Sequence, residues 1–211
     1  SDISITDTID TVKVNLVATI DSESENENGA TITYTATIDG PAPKSDVTVT
    51  FKDFNGEPKT ITIKAPQEGE IKTEFSGTEK STYSNPDVYA EAKKDLGVTD
   101  FTVAPGQGGY ENLVAGEVTS DISITDTIDT VKVNLVATIN KATENEDGAT
   151  ITYTATIEGT NAPKSDVVVT FKDFDGVEKT ITIKAGSFSD KTTSTYSNPD
   201  VYAEAKKDLG V

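Results

Sequence analysis

Cysteine, histidine, tryptophan and methionine are all absent from this 211-residue sequence. Without cysteine there is no disulfide staple and no thiol chemistry. Without histidine the commonest general base and the commonest transition-metal ligand are missing. No apolar run reaches the roughly 18 to 20 residues of a membrane span. No signal peptide opens the sequence, so an exported protein containing it is expected to be longer. Positive charge is also scarce. Eighteen basic side chains face 36 acidic ones, for a formal charge of −18. Such a surface repels nucleic acid and anionic membranes. It leaves two readings, solvated acid or bound cations. Apolar residues make up 34% and aromatics 7%, enough for sandwich strands that bury one face each.

What the chain does have is a repeat. Residues 1–20, SDISITDTIDTVKVNLVATI, recur unchanged at 120–139, and 81–98, STYSNPDVYAEAKKDLGV, recur unchanged at 194–211. A period of about 115 residues is far longer than a solenoid unit, so each copy is expected to be a whole domain. The expected organisation is a first repeat over 1–125, a linker at 126–129 and a second repeat over 130–211. The first copy continues past Val98, the match of Val211. Either the true repeat boundary lies near 98/99, or the second repeat lacks its last strand.

Within each copy the apolar residues alternate. Val12, Val14, Leu16, Ala18 and Ile20 form one series, and Ala30, Ile32, Tyr34, Ala36 and Ile38 another. Val47, Val49 and Phe51 follow, then Ile61, Ile63 and Ala65. Period 2 with β-branched enrichment means half-buried strands. Turn chemistry separates them at Glu27-Asn28-Gly29, Gly40-Pro41, Asn55-Gly56 and Asn85-Pro86-Asp87. Val88–Ala92 and Val118–Ile124 are further expected strands, and Tyr89–Leu96 has a helical turn as its alternative. The fold class is all-β: two tandem immunoglobulin-like β-sandwiches of about seven antiparallel strands each.

Alternating strand direction places the connections near 21–29, 53–57 and 84–87 at one end of the first domain. The strand ending at Thr125 is expected to deliver the chain to that same end. There Thr125-Asp126-Thr127-Ile128-Asp129-Thr130, the twin of Thr6–Thr11, meets Glu23, Glu25, Glu27, Asp53, Asn55, Asn85 and Asp87. From the end of the second domain where its first strand begins come Glu158, Asn161 and Asp166. Crowded carboxylates repel one another unless neutralised. Calcium takes six to eight hard oxygens in flexible geometry, whereas magnesium holds on to its water. Zinc favours His or Cys. The candidate metal residues are Asp126, Asp129, Asp7, Asp10, Glu25, Glu27, Asp53, Asp87 and Asp166, with Ca²⁺ as the cofactor. Asp and Asn also favour turns for backbone reasons alone, and no complete EF-hand loop occurs.

The runs TDTIDTVKVNLVATI, ENENGATITYTATI and GGYENLV resemble the repeats of giant bacterial adhesins of the repeats-in-toxin type. The likeness spans the first copy and most of the second. Departures are Tyr110 in place of the usual Phe, and the longer 66–80 connection. The resemblance implies immunoglobulin-like extender domains joined end to end, secreted by a type I system and displayed on the bacterial surface for biofilm attachment. It implies calcium at the linkers, carried over to Asp7, Asp10, Asp126 and Asp129. The expected function is a spacer that projects a distal binding region. Its expected partners are neighbouring repeats of the same polypeptide.

The alternative is a carbohydrate- or peptide-binding module, disfavoured by the lack of tryptophan platforms. An enzyme is not expected, since no carboxylate pair is set in an apolar pocket that would raise a pKa. Weak end-to-end self-association is expected from the match between Ile3–Thr6 and Ile122–Thr125, through donation of a strand to an open sheet edge.

Overall fold

The computed structural model describes residues 3–21, 26–139, 148–200, 202 and 205–210. The chain forms two compact units, Ser1–Ile128 and Asp129–Val211. The division falls inside the DTID segment. Among the described residues there is no helix, and every regular element is a strand.

The first unit holds β1 (Thr11–Ile20), β2 (Ala30–Asp39), β3 (Val47–Lys52), β4 (Pro58–Ile63) and β5 (Ser76–Tyr83). It continues with β6 (Lys94–Asp95), β7 (Thr99–Val103), β8 (Asn112–Thr119) and β9 (Ser123–Ile124). One sheet has the order β5-β2-β1-β8 and the other β4-β3-β7, with β6 and β9 as a short separate pair. The seven longer strands make the sandwich. Their alternating residues supply one core: Val14, Leu16, Ile32 and Tyr34 from the first sheet, and Val49, Phe51 and Ile61 from the second. The Tyr34 and Phe51 rings lie 4.8 Å apart, tilted by 58°, a favourable aromatic geometry.

One pairing departs from the antiparallel expectation. β1 runs antiparallel to β2 but parallel to β8, with Thr11 opposite Asn112 and Val17 opposite Thr119. The register shifts between Val14 and Leu16. At that shift the Asn15 side-chain oxygen accepts the Glu117 amide at 2.8 Å. A Cβ on the neighbouring Gly116 would stand 2.1 Å from the same oxygen, so glycine is what allows the close approach. The parallel direction has a functional consequence. β8 travels the same way as β1 and carries the chain towards the β1–β2 turn.

Three further expectations need correction. Val88–Ala92 is not a strand, and Tyr89–Leu96 holds no helical turn; only Lys94–Asp95 is extended, opposite Ser123–Ile124. The strand expected at Val118–Ile124 is instead the end of β8, a break, and β9. Residues 97–117 hold β7 and most of β8, and the connection between β4 and β5 runs over 64–75.

The second unit carries β10 (Val133–Ile139), β11 (Ala149–Ile157), β12 (Val167–Lys172), β13 (Glu178–Ile183) and β14 (Ser189–Tyr196). Its sheets are β10-β11-β14 and β12-β13. The core repeats the first: Tyr153 and Phe171 lie 4.8 Å apart, tilted by 56°. Burial is thinner. Val14 is fully buried, whereas its twin Val133 is 40% exposed.

Asp53 ties the two sheets of the first unit together. Its Oδ1 accepts the amides of Asn55 at 2.9 Å and Glu57 at 3.1 Å, closing the hairpin turn at Gly56. Its Oδ2 accepts the buried Ser81 hydroxyl at 2.8 Å, from β5 in the opposite sheet. Asp173 repeats the arrangement with Asp175, Val177 and Ser194. Asp53→Ala removes an anionic acceptor and leaves Ser81 buried without that partner. It should cost about 3 kcal/mol, measured by denaturant unfolding. Asp53→Asn, which keeps one acceptor oxygen, should cost less.

Candidate functional site

The end of the first unit where β1 turns into β2 is built largely by hydrogen bonds between side chains and backbone. The turn closes with the Gly29 amide on the Asn26 carbonyl, and the Asn28 amide on Asn26 Oδ1. The Asn85 amide donates to the Glu27 carbonyl at 2.7 Å, joining the segment after β5 to this turn. The Ser84 hydroxyl donates to the Asn28 carbonyl at 3.0 Å. Pro86 removes one donor, and Asp87 Oδ1 accepts the Tyr89 amide at 2.7 Å in an Asx turn. The Asn85 side-chain amide donates to Glu91 Oε2 at 2.7 Å. These bonds hold 84–91 in an irregular loop.

Asp126 arrives at this loop from β9. Its Oδ2 accepts the Glu91 amide at 2.9 Å. Its carboxyl also shares a hydrogen bond with Glu27, which is only 4% exposed. Two carboxyl groups in hydrogen-bond contact need a proton or a cation between them. The bond from Glu27, then the Glu91 amide, holds the Asp126 carboxyl below the ordinary carboxylate range. Asp126 Oδ1 is buried and accepts no hydrogen bond. Such an oxygen is costly for a protein to bury unless an ion faces it. Burial raises the Tyr83 phenol, and the charges of Glu91, Glu27 and Asp87 raise it further. Tyr83 thus senses three carboxylates around one spot. The donor set is hard oxygen throughout and fits calcium. Among the described residues no group of three acidic side chains is placed to hold one ion. Carbonyls and side-chain amides would have to complete a shell around Asp126 and Glu27.

The expected ligands are therefore distributed unevenly. Glu27, Asp87 and Asp126 come together. Asp53 is committed to its turn and to Ser81. Asp166 forms an ion pair with Lys184 at 2.7 Å and accepts the Ala185 amide, so the Lys184 bond, then that amide, lowers its pKa. Asp46, its twin, does the same with Lys64 and Ala65. Asp129 is exposed and belongs to the second unit. Glu25 lies outside the described residues.

Asp7 is exposed and accepts the Thr8 amide. The Asp10 amide donates to Glu111 Oε2 at 2.8 Å, at the end of the unit where β1 begins. There a cavity of about 220 Å³ is lined by Asp10, Lys44, Gly108, Tyr110 and Glu111 among others. Tyr110 anchors this end by donating its hydroxyl to the Pro41 carbonyl. Gly108, with φ of +69°, is forced by crowding: a Cβ would meet the Tyr110 ring at 2.6 Å.

Two residues escaped the sequence reading. Glu91 sits in a stretch whose alternation looked like a strand. Glu111 sits in the GGYENLV run, where it reads as part of a repeat signature with no stated role.

Neither the search of curated proteins nor that of solved structures found a match. A family model, the LapA domain, matches residues 10–127 and again 129–208. One match falls on each of the two units. The chain belongs to the LapA domain family, and is thereby related to a large cell-surface adhesin.

Proposed function

We propose that the chain is a structural extender of a long bacterial adhesin of the repeats-in-toxin type, stiffened by calcium at the DTID joint. The observation that supports this most is the contact between Glu27 and Asp126, with Asp126 Oδ1 buried and accepting no hydrogen bond. Asp126 and Glu27 would hold the ion, with carbonyls and side-chain amides completing its shell. Asp7 and Asp10 are the twin pair on the incoming side. The ion would supply charge neutralisation that the protein does not provide there. An ion bound by the folded state alone stabilises it by mass action. Extracellular modules bind calcium at about 10⁻⁴ to 10⁻³ M, within reach of extracellular fluids. Each sandwich would lengthen the stalk by about 40 Å, from strands of about nine residues plus loops.

A proton and calcium compete for the same place. A proton shared between the Glu27 and Asp126 carboxyls would neutralise the pair in the absence of an ion. Calcium must displace it. Binding should release about one proton per ion, read by titration calorimetry in two buffers of different ionisation enthalpy. Affinity should fall as pH drops through the carboxylate range. Without calcium, Asp126 contributes stability fully above its unfolded pKa of about 3.9. That contribution is lost as pH falls through its lower folded value. A buffer-independent heat, or no calcium heat at all, would count against the site. Glu27→Gln should remove the proton release and weaken calcium binding about tenfold or more.

A further inference from the structure

At two turns the repeats differ by the same chemical change, a carboxylate in place of an amide. The chain holds two Asn-Gly pairs, Asn28-Gly29 and Asn55-Gly56, both in the first copy. The second copy has Asp147-Gly148 and Asp175-Gly176 at the matching positions. Asparagine followed by glycine readily loses its side-chain amide, because no Cβ shields the next backbone nitrogen. The Asp175 turn shows that the acid is tolerated. Asp175 and Val177 give their amides to Asp173 Oδ1, and Gly176 gives its amide to the Asp173 carbonyl at 2.8 Å. Asn55, Glu57 and Gly56 do the same with Asp53.

The two asparagines are held differently. At Asn55 the Gly56 amide is bound to the Asp53 carbonyl at 2.8 Å, and Asp53 is itself fixed by Ser81. No side chain among the described residues donates to the Asn55 carbonyl. Asn28 is exposed, and its Gly29 amide reaches the Asn26 carbonyl at a longer 3.1 Å. The Ser84 hydroxyl donates to the Asn28 carbonyl at 3.0 Å. That carbonyl belongs to the same peptide group as the Gly29 nitrogen. A hydrogen bond to it stabilises the anion formed when the Gly29 amide loses its proton.

We infer that Asn28-Gly29 is a site of self-catalysed deamidation, with the Ser84 hydroxyl as its activating group. The Gly29 nitrogen gives its proton to water and attacks Asn28 Cγ, forming a succinimide ring. The Cγ–Nδ2 bond breaks, and ammonia leaves with a proton taken from solvent. Water then adds to a ring carbonyl and opens the ring to an aspartyl or isoaspartyl residue. Water is the only co-reactant, and no electrons change hands. The aspartyl product is the residue that the second copy encodes at Asp147. It places a new negative charge next to Glu27, at the end of the unit where Glu27 meets Asp126.

The test incubates the full chain in mildly alkaline buffer and follows the amide-to-acid conversion at each asparagine by peptide mapping and mass spectrometry. Asn28 should convert at least about fivefold faster than Asn55. Ser84 is exposed, so its substitution leaves the core intact. Ser84→Ala should slow Asn28 about fivefold, the rate equivalent of one hydrogen bond, and leave Asn55 unchanged. A merely structural Ser84 would act in the opposite direction, because a looser turn frees the Gly29 amide. Ser84→Thr keeps the hydroxyl and should convert at the parent rate. Equal rates at the two asparagines, an Asn28 rate undiminished in Ser84→Ala, or a Ser84→Thr chain as slow as Ser84→Ala would each overturn the inference.

Discussion

In 10 mM calcium the first unit should unfold at a temperature higher than in excess chelator by about 10 °C. The size follows from linkage. With Kd near 10⁻⁴ M, that concentration is about 100 Kd and contributes about 2.7 kcal/mol. A unit of this length gains roughly 3 to 5 °C per kcal/mol. Differential scanning calorimetry of the whole chain reads the shift. Asp126→Ala should abolish it, because Asp126 provides the buried oxygen that accepts no hydrogen bond as well as the link to Glu27. Asp166→Ala provides the control. It breaks an exposed ion pair with Lys184, which is worth little in water, and should leave the calcium shift in place. Magnesium at the same concentration should give a smaller shift, since it releases its water reluctantly. An equal response to both ions would point to screening of the −18 charge.

Phe51→Ala should cost about 4 kcal/mol, and Phe171→Ala, its twin in the second unit, about half of that. Both rings face a buried tyrosine at 4.8 Å. They differ in what else surrounds them. Phe51 is 2% exposed, in a sheet where β7 pairs with β3. Phe171 is only partly buried, on a strand whose one sheet neighbour among the described residues is β13. Removing a ring from a closed core leaves a cavity, whereas removing a partly buried ring leaves a site water can enter. Against a typical stability of about 5–15 kcal/mol, Phe51→Ala should bring the first unit close to unfolding at ambient temperature. Separate transitions for the two units in urea would give both values. Equal losses would contradict the difference in packing.

The strands easiest to read in the sequence are those with one apolar and one polar face. β1 to β4 announce themselves through alternating Val, Ile, Leu, Phe and Tyr. The edge strands β5, β7 and β8 do not. In β5, SGTEKSTY, the one fully buried position is Ser81, satisfied by Asp53. No hydrophobic period can reveal a strand whose inward residue is a serine. β8 buries only Leu113, and its alternation is interrupted at Gly116, where the register with β1 shifts. β7 contains Asp100 at φ of 55°, an unusual conformation for a residue with a Cβ. Val88–Ala92 misled in the other direction. Its Val-Tyr-Ala-Glu-Ala pattern looks extended, yet Asp87 and Asp126 capture the amides of Tyr89 and Glu91, and those amides are spent on side chains.

The candidate site was legible for a related reason. Counting strand directions was enough to bring Glu27, Asp87 and Asp126 to one end, because the parallel β1–β8 pairing preserves the direction that simple alternation implies. Counting could not separate Asp53 and Asp166 from them. An aspartate that closes a turn and an aspartate that binds an ion share the same loop setting and the same residue type. Only hydrogen-bond partners tell them apart. Asp53 has both oxygens occupied, whereas Asp126 keeps one buried oxygen that accepts no hydrogen bond.

The most direct measurement of the central claim is the distance distribution between spin labels placed one in each unit, recorded with calcium and with chelator. Exposed Thr60 and Thr180 serve as label sites, after substitution by cysteine in a chain that has none of its own. If calcium stiffens the DTID joint, the distribution narrows to a single peak with calcium and broadens with chelator, and Asp126→Ala stays broad in both. A width that does not respond to calcium, or a response that survives Asp126→Ala, would contradict calcium stiffening at this joint.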